Sequence, residues 1–149
     1  MYTLESGDFL KISTKGRYGL RALIDIAKND SNDPVSITSI ASRQGISERY
    51  LEQLMGKLKR AGILNSIRGA SGGYVLARDT SDISVGDILR ALEGSLDPVD
   101  CLGLNDGHIC EIADTCSSKY VWNKISESIN RTVDEIKLDR LVKEETESK

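Results

Sequence analysis

All three cysteines of this 149-residue chain and its single histidine lie in one segment, CLGLNDGHICEIADTC, from Cys101 to Cys116. Thiolates and imidazoles are ligands for transition metals and iron–sulfur clusters, so their clustering predicts a metal or cluster site. The candidate ligands are Cys101, His108, Cys110 and Cys116.

The spacing of these residues leaves several chemistries open. Structural zinc sites usually draw on close cysteine pairs, and no CxxC pair occurs here. A thiol redox sensor needs only an exposed cysteine of low pKa and a resolving partner. An iron–sulfur cluster is held mainly by thiolates and tolerates a ligand that is not cysteine. Reduced cysteines without any ligand are the fourth interpretation, against which the clustering argues.

The charge distribution predicts a polyanionic partner for one half of the chain. The net charge is −3, yet residues 11–78 carry 12 Lys and Arg against 5 Asp and Glu. The remaining residues carry 8 against 18, so the chain combines a basic half with an acidic one. A basic half is the electrostatic feature expected of a nucleic-acid-binding protein, although an unevenly charged solvated surface gives the same pattern.

Composition also predicts the compartment and excludes some protein classes. No apolar run is long enough to span a membrane, and the first ten residues, MYTLESGDFL, lack the features of a secretory signal. We therefore expect a cytoplasmic protein, where thiols stay reduced unless they have a function. The odd number of cysteines also argues against a disulfide framework.

Capping residues and apolar spacing predict three helices in the basic half. Their predicted starts are Ser13 or Thr14, Ser36 or Thr38, and Ser47, and they are followed by the loop Asn29–Pro34, by Gly45 and by Gly62. The residues expected to be buried are Leu20, Leu23, Ile24, Ala27, Ile40, Ala41, Leu51, Leu54, Met55 and Leu58. The second and third helices, joined by a short turn with a glycine, predict a helix-turn-helix.

The third helix and the segment after it could read DNA. The predicted exposed face of this helix carries Arg49, Glu52, Gln53, Lys57 and Arg60. Arg and Gln can pair with purine edges, and Glu can accept a hydrogen bond from cytosine. Two strand-like runs follow, residues 63–67 and 74–77, separated by RGASGG. The glycines permit a tight hairpin, and Arg68 at its start could enter a minor groove, which favours a wing over an ordinary turn.

Three stretches resemble a known family of bacterial regulators: ISTKGRYGLRALIDIA, GISERYLEQLMGKLKRAGIL and SIRGASGGYVLARDTSDISVGDILRALEG. The family includes the iron–sulfur regulator IscR, the cysteine-metabolism repressor CymR and the nitric-oxide sensor NsrR. The resemblance extends from Leu10 to about Val142. It implies a mainly α fold with a small β-hairpin wing, that is, a winged helix-turn-helix with a long C-terminal dimerisation helix. It also implies DNA contacts from Arg49, Tyr50, Glu52, Gln53 and Arg68.

The resemblance further implies an iron–sulfur cluster held by Cys101, Cys110 and Cys116, with 2Fe–2S favoured over 4Fe–4S. In well-known members a histidine follows the last cysteine by three positions, and this chain has Lys119 there. An ammonium group cannot coordinate iron, so we expect His108 as the fourth ligand. A carboxylate, Glu111 or Asp114, or a group from a partner subunit are the alternatives.

A second periodic pattern predicts the dimer helix. Trp122, Ile125, Ile129, Thr132 and Ile136 follow spacings of three and four residues, which is typical of a coiled-coil seam, although a buried face within one chain gives the same spacing. The predicted organisation is a flexible leader (1–10), a winged helix-turn-helix domain (11–95), a cluster-binding loop (96–118), a dimerisation helix region (119–142) and a charged, frayed tail (143–149).

Together these features predict a sequence-specific DNA-binding transcriptional regulator, mainly a repressor, of iron–sulfur cluster biogenesis genes. The expected partners are double-stranded operator DNA, a second copy of the chain and iron–sulfur assembly proteins, with no membrane. A CymR-like sulfur regulator and an NsrR-like nitric-oxide sensor are the alternatives within this class. A redox enzyme or metal carrier is disfavoured, because the sequence shows no catalytic dyad and no phosphate-binding loop. We therefore expect no enzymatic activity.

Overall fold

The computed structural model describes residues 12–29, 32–99, 111–112 and 114–148. Within these ranges the chain forms six α-helices, a short 3₁₀ turn and one antiparallel hairpin of two strands. The elements are α1 (Thr14–Ala27), α2 (Ile37–Gln44), α3 (Glu48–Arg60), β1 (Leu64–Ile67), β2 (Gly73–Leu76), the 3₁₀ turn (Thr80–Asp82), α4 (Val85–Glu93), α5 (Lys119–Glu135) and α6 (Leu138–Glu147). The predicted mainly helical fold with a small hairpin is confirmed.

The predicted helix-turn-helix forms at the expected positions. Ser36 and Ser47 cap α2 and α3, because each side chain accepts a hydrogen bond from a backbone N–H in the first turn. Gly45 lies between the two helices with φ 66° and ψ 36°, a left-handed conformation that glycine adopts without steric cost. Serine caps and a glycine stop therefore fix where both helices begin and where the turn lies.

The buried stripe of α1 differs from the predicted one, whereas that of α3 matches it. Leu51, Leu54, Met55 and Leu58 of α3 are all buried, as expected. In α1, Leu23 is buried with Ala22 and Ile26, while Leu20, Ile24 and Ala27 are only half-buried. The face of α1 is rotated because α4 also packs on it, and the sequence patterns did not predict α4.

Two glycines allow α1 and α4 to approach closely. A Cβ atom on Gly19 would lie 2.3 Å from Leu92 Cδ1, and one on Gly16 would lie 2.7 Å from Glu93 Oε1. The start of α4 is fixed by a capping box: Ser84 Oγ accepts a hydrogen bond from Asp87 N (3.0 Å), and Asp87 Oδ2 accepts one from Ser84 N (3.1 Å). The motif SVGD was the sequence signal for this helix.

Hydrogen bonds from Arg90 join α4 to α5. The Arg90 guanidinium donates to both carboxylate oxygens of Asp134, at 2.8 and 2.9 Å, and to Asn130 Oδ1 at 2.7 Å. Beside it, a small apolar cluster combines α4, the chain after it and the end of α5. Its members are Val85, Leu89, Leu96, Ile129, Val133, Ile136, Leu141 of α6 and Leu20 of α1. The helix with the predicted dimer seam is thus firmly packed on its own chain.

The predicted seam through Ile136 is wrong as a single helical stripe. Helix α5 ends at Glu135, and Ile136 is extended (φ −88°, ψ 114°) with its carbonyl accepting a hydrogen bond from Val85 N at 2.9 Å. Ile129 and Ile136 pack in the α4 cluster of the same chain, because a spacing of three and four residues does not say which chain covers it. Trp122 and Ile125 are half-buried, and Thr132 is exposed.

The C-terminal segment is more ordered than the predicted frayed tail. Helix α6 runs from Leu138 to Glu147, so the expected boundary between residues 142 and 143 falls inside it. The side chain of Leu138 is fully buried in the main core, and Lys28, directly after α1, forms an ion pair with Glu145. The predicted leader, residues 1–10, lies outside the described residues.

A polar network joins α1 to α2. Asp25 has a side chain that is only 6% exposed, and it accepts hydrogen bonds from Arg43 Nη2 (2.6 Å) and Gln44 Nε2 (2.8 Å). Burial alone would raise the pKa of Asp25, but the hydrogen bonds from Arg43 and Gln44 outweigh it and hold that pKa below the usual 3.8. The ionised carboxylate therefore stabilises the packing of the two helices.

We expect Arg43→Ala to lower the free energy of unfolding by about 1–3 kcal/mol at neutral pH, because it leaves a buried carboxylate short of partners. The folded-state pKa of Asp25 is depressed, so this contribution is present above the unfolded value and is lost as the pH falls through the folded one. Urea unfolding at several pH values measures it. Arg140→Ala, which breaks an exposed pair with Glu144, is the control and should cost under about 0.5 kcal/mol. Equal losses for both variants would contradict the role of the network.

Candidate DNA interface and cysteine site

The outer face of α3 carries side chains that are free to contact a partner. Arg49, Glu52 and Gln53 are exposed, on the side opposite the buried stripe. The side chains of Arg49 and Gln53 form no hydrogen bond or ion pair within the described part of the chain. The predicted cation and amide of the recognition helix are thus available for hydrogen bonding to base edges.

Tyr50 lies at the base of this helix rather than on its outer face. It is half-buried, and its ring meets that of Tyr18 edge to face, with centroids 6.2 Å apart and an interplanar angle of 89°. Its hydroxyl lies 3.2 Å from Thr14 Oγ1 at the start of α1. These contacts give Tyr50 a role in holding α3 against α1, while its DNA contact stays a prediction.

Lys57 does not belong to the exposed face, contrary to prediction. It is half-buried, and its Nζ donates a hydrogen bond to the carbonyl oxygen of Leu92 at 3.2 Å. Its long side chain therefore joins α3 to the end of α4. Arg60 is exposed as predicted, and Lys59 donates a 2.6 Å hydrogen bond to Ser66 Oγ of the wing.

The hairpin forms the predicted wing next to α3. Strands β1 and β2 pair in antiparallel register from Leu64 with Leu76 to Ile67 with Gly73. Arg68 follows β1 directly and is exposed. The Tyr74 side chain is half-buried near α3: burial, with a smaller effect of the negative charge on Glu52, raises its pKa above 10.0. Glu52 and the wing therefore face the same region.

The wing is held to the helix-turn-helix by a close backbone contact. Val35, just before α2, exchanges two hydrogen bonds of 2.9 Å with Tyr74. A Cβ atom on Gly73 would lie 2.3 Å from the Val35 carbonyl oxygen, so only glycine fits there. The glycines of RGASGG were predicted to shape a hairpin, and Gly73 also permits this contact.

Ile67 is a feature of the wing that the sequence patterns missed. It is 46% exposed and lies next to Arg68 at the end of β1. The alternation of buried and exposed residues along this strand directs Asn65 and Ile67 outward, and this period of two was the available signal. An exposed apolar side chain beside Arg68 offers a bound partner van der Waals contacts in addition to the polar contacts of the wing tip.

Cys116 lies where a helix start favours a thiolate. This half-buried residue lies three positions before Lys119, the first residue of α5, and its Sγ is 3.0 Å from Ser118 Oγ. The hydrogen bond from the Ser118 hydroxyl, then those from the backbone N–H groups of Ser118 and Lys119, lower the thiol pKa below 9.0. Lys119 adds its positive charge. Since thiolate is the form that binds metals and clusters, the chemistry of Cys116 fits a ligand.

Of the other predicted ligands, Cys101, His108 and Cys110 lie outside the described residues. Glu111 and Asp114, the alternative fourth ligands, are exposed. Within the described ranges, no group of three or more His, Cys, Asp and Glu side chains is placed to hold a metal ion. Lys119 stands where well-known members of the family named above are expected to have a histidine. Its positive charge instead favours ionisation of the Cys116 thiol.

Comparison with known proteins identifies the family of this chain. The family model "Rrf2: Iron-dependent Transcriptional regulator" matches residues 12–144. The chain belongs to the Rrf2 family. It is 38% identical over 133 residues to the HTH-type transcriptional regulator IscR of Klebsiella pneumoniae (strain 342), covering 89% of this chain and 80% of that protein. The predicted resemblance is confirmed.

Solved structures of other Rrf2 regulators are similar to this one. IscR of T. potens is 44% identical, with a TM-score of 0.75, over 93% of this chain and 90% of that one. CymR, the global cysteine regulator of B. subtilis, is 42% identical, with a TM-score of 0.75, over 91% and 98%. These relatives are transcriptional regulators, so the prediction that this Rrf2 protein is not an enzyme is confirmed. Among the helices described here, none is long and apolar enough to cross a membrane.

We expect Gly73→Ala to destabilise this Rrf2 protein by about 1–3 kcal/mol, because a methyl group would force the wing away from Val35. Gly56→Ala is the matched control. Its Cβ atom would meet only Arg60 Nη1, at 3.7 Å, and alanine favours the helix by about 0.5–1 kcal/mol. Chemical unfolding of both variants measures the difference. A Gly73→Ala protein as stable as Gly56→Ala would show that the close contact is unimportant.

Proposed function

We propose that this Rrf2 regulator recognises an operator through α3 and the wing, and that an iron–sulfur cluster on Cys101, Cys110 and Cys116 controls its DNA affinity. The observation that carries the proposal is the position of Cys116 just before α5, with its Sγ 3.0 Å from Ser118 Oγ, a hydrogen bond that lowers the thiol pKa and so favours the ligating form. Helix α5 is in turn bound to α4 through Arg90. A ligand on the cysteine segment would therefore act on a helix that contacts the DNA-binding domain.

Operator recognition rests on the free side chains of α3 and the wing. Arg49 and Gln53 suit hydrogen bonding to purines in the major groove, and Glu52 suits acceptance from a cytosine amine. Arg68 at the exposed wing tip suits a narrow minor groove, where the electrostatic potential attracts guanidinium groups. Tyr50 completes the proposed set, mainly by anchoring α3 to α1.

A homodimer would bring two copies of this DNA-binding surface, formed by α3 and the wing, to one duplex. At the start of α5, Tyr120 is 69% exposed and Val121 is 47% exposed, and half-buried Trp122 and Ile125 follow. These side chains support α5 as the dimer helix, although the seam no longer includes Ile129 and Ile136. Two-fold symmetry predicts two half-sites about 34 Å apart, one turn of the duplex.

The proposed cofactor is a cluster, with 2Fe–2S favoured, that supplies a redox-sensitive and releasable group. The chain's own part is to hold it through three thiolates, with His108 as the proposed fourth ligand and Glu111 or Asp114 as alternatives. Lys119 favours the thiolate of Cys116 rather than binding iron. The regulated genes would be those for iron–sulfur biogenesis, repressed when clusters are plentiful. The proposed location is the cytoplasm, because the operator DNA is there.

Coupling between the two sites follows a chain of contacts. Cys116 lies at the start of α5, Arg90 ties α5 to α4, and Lys57 ties α3 to the carbonyl of Leu92 at the end of α4. A cluster that stabilises one arrangement of α5 would change DNA affinity by the free energy with which DNA discriminates the two forms.

Sulfur sensing is the second candidate, since the structure of CymR, described as a global cysteine regulator, is as similar as that of IscR. Three clustered cysteines favour the cluster sensor, because a lone redox switch needs only one reactive cysteine and a resolving partner. Nitric-oxide sensing, the third candidate, shares the cluster. Exposing anaerobically purified protein to nitric oxide and measuring operator binding would separate it.

For operator contacts we expect Arg68→Ala to weaken binding to a duplex selected from a random pool, and Glu52→Ala mainly to broaden the sequences accepted. Arg140→Ala, which removes the same charge from α6, should leave both unchanged. Fluorescence anisotropy with the selected duplex and a scrambled one measures affinity and specificity. If Arg68→Ala bound DNA as Arg140→Ala does, the proposed DNA contact of Arg68 would be wrong.

For the cofactor we expect Cys116→Ala, purified without oxygen, to lose its visible absorption and bound iron and sulfide, and with them the cluster-dependent change in operator affinity. Ser117→Ala, which removes an exposed hydroxyl from the next residue, should retain both. Iron and sulfide analysis with a visible spectrum provides the measurement. A Cys116→Ala protein with unchanged iron, sulfide and regulation would overturn the proposed ligand.

A further inference from the structure

Glu93, the last residue of α4, makes contacts that neither the sequence patterns nor the family resemblance singled out. A single oxygen, Oε1, accepts hydrogen bonds from Ser13 N at 2.7 Å, Ser13 Oγ at 2.5 Å and Gly16 N at 3.2 Å. These donors form the start of α1, where unsatisfied N–H groups and the helix dipole favour a carboxylate. Glu93 thus caps a helix that is 77 to 80 residues away in the chain.

The capped end of α1 touches the recognition helix. Thr14 lies between the two residues that bind Glu93, and its hydroxyl is 3.2 Å from that of Tyr50 in the first turn of α3. Tyr50 also packs against Tyr18, one turn further along α1. Any movement of the start of α1 therefore changes the support of α3 at the end nearest Arg49.

Glu93 is followed by residues 94–99, the linker that leads into the cysteine segment. Asp97 in this linker accepts hydrogen bonds from the Ser126 hydroxyl of α5 and, at 2.7 Å, from Ser95 Oγ. Ser126 is buried, so this tie is shielded from solvent. Three residues, 94–96, separate Asp97 from Glu93. The hydrogen bond between Asp97 and α5 and the cap on α1 are therefore connected by a short segment of chain.

We infer that Glu93 is a positioning residue that transmits displacement of the linker to the recognition helix. If the linker moves, the carboxylate moves with the end of α4, the cap on α1 loosens, and Tyr50 loses its fixed support. The regulatory part of this inference rests on the proposed function, whereas the structural part rests on the hydrogen bonds of Glu93 alone.

The test compares Glu93→Ala with Glu147→Ala, which removes the same charge from the exposed end of α6. For the selected duplex, we expect the dissociation constant of Glu93→Ala to rise about fivefold or more over that of Glu147→Ala, with affinity for scrambled DNA equal in the two. Glu93→Gln keeps an oxygen acceptor and should restore part of the loss. Equal affinity of Glu93→Ala and Glu147→Ala for the selected duplex would overturn the inference.

A double-mutant cycle tests whether Glu93 acts through Tyr50. Tyr50→Phe removes the hydroxyl that meets Thr14, so the losses from Glu93→Ala and Tyr50→Phe should not add. Hydrogen exchange should also be faster at the Gly16 amide and in the first turn of α3 of Glu93→Ala. Additive losses, or unchanged exchange in α3, would show that Glu93 only caps α1. Where Glu93→Ala does not fold, the same cycle uses Glu93→Gln.

The regulatory part has its own readout. The ratio of operator affinities for cluster-loaded and cluster-free protein should fall toward one in Glu93→Ala and stay at the wild-type value in Glu147→Ala. An unchanged ratio in Glu93→Ala would overturn transmission through this residue. A ratio of one in the wild-type protein would instead overturn the proposed sensing, and the cycle with Tyr50 would still decide whether Glu93 positions α3.

Discussion

The close approach of α1 and α4 is the constraint on which the other contacts depend. It exists because Gly16 and Gly19 present no side chain to Leu92 and Glu93. Only at this short distance can Glu93 reach the N–H groups at the start of α1. A bulkier residue at either glycine would separate the helices and weaken the support of the DNA-binding domain.

Helix α4 therefore connects the two functional regions of the chain. Its outer side binds α5 through Arg90, Asp134 and Asn130. Its inner side packs on α1, and the Leu92 carbonyl accepts a hydrogen bond from Lys57 of α3. These hydrogen bonds lie on opposite sides of a short helix. A hydrogen bond weakens steeply when its geometry is disturbed, so such contacts suit a coupling element better than apolar packing alone.

Local chemistry made the helix-turn-helix and the wing predictable from sequence. Serine caps, the glycine of the turn and the wing glycines each act within a few residues of the feature that they specify. Long-range packing was not readable in the same way. The spacing of Ile129 and Ile136 indicated a buried face but not that α4 of the same chain covers it, and Lys57 had a surface residue's sequence pattern yet binds α4. Of the four predicted ligands, only Cys116 lies within the described residues, so the ligand set still rests on residue types and family resemblance.

The most direct test of coupling between the cysteine segment and the DNA-binding face is a titration of one selected duplex, without oxygen, by cluster-loaded and by cluster-free protein. The contacts from Cys116 through α5 and α4 to α3 lead us to expect dissociation constants that differ by about fivefold or more. The same dissociation constant for both forms would contradict the coupling.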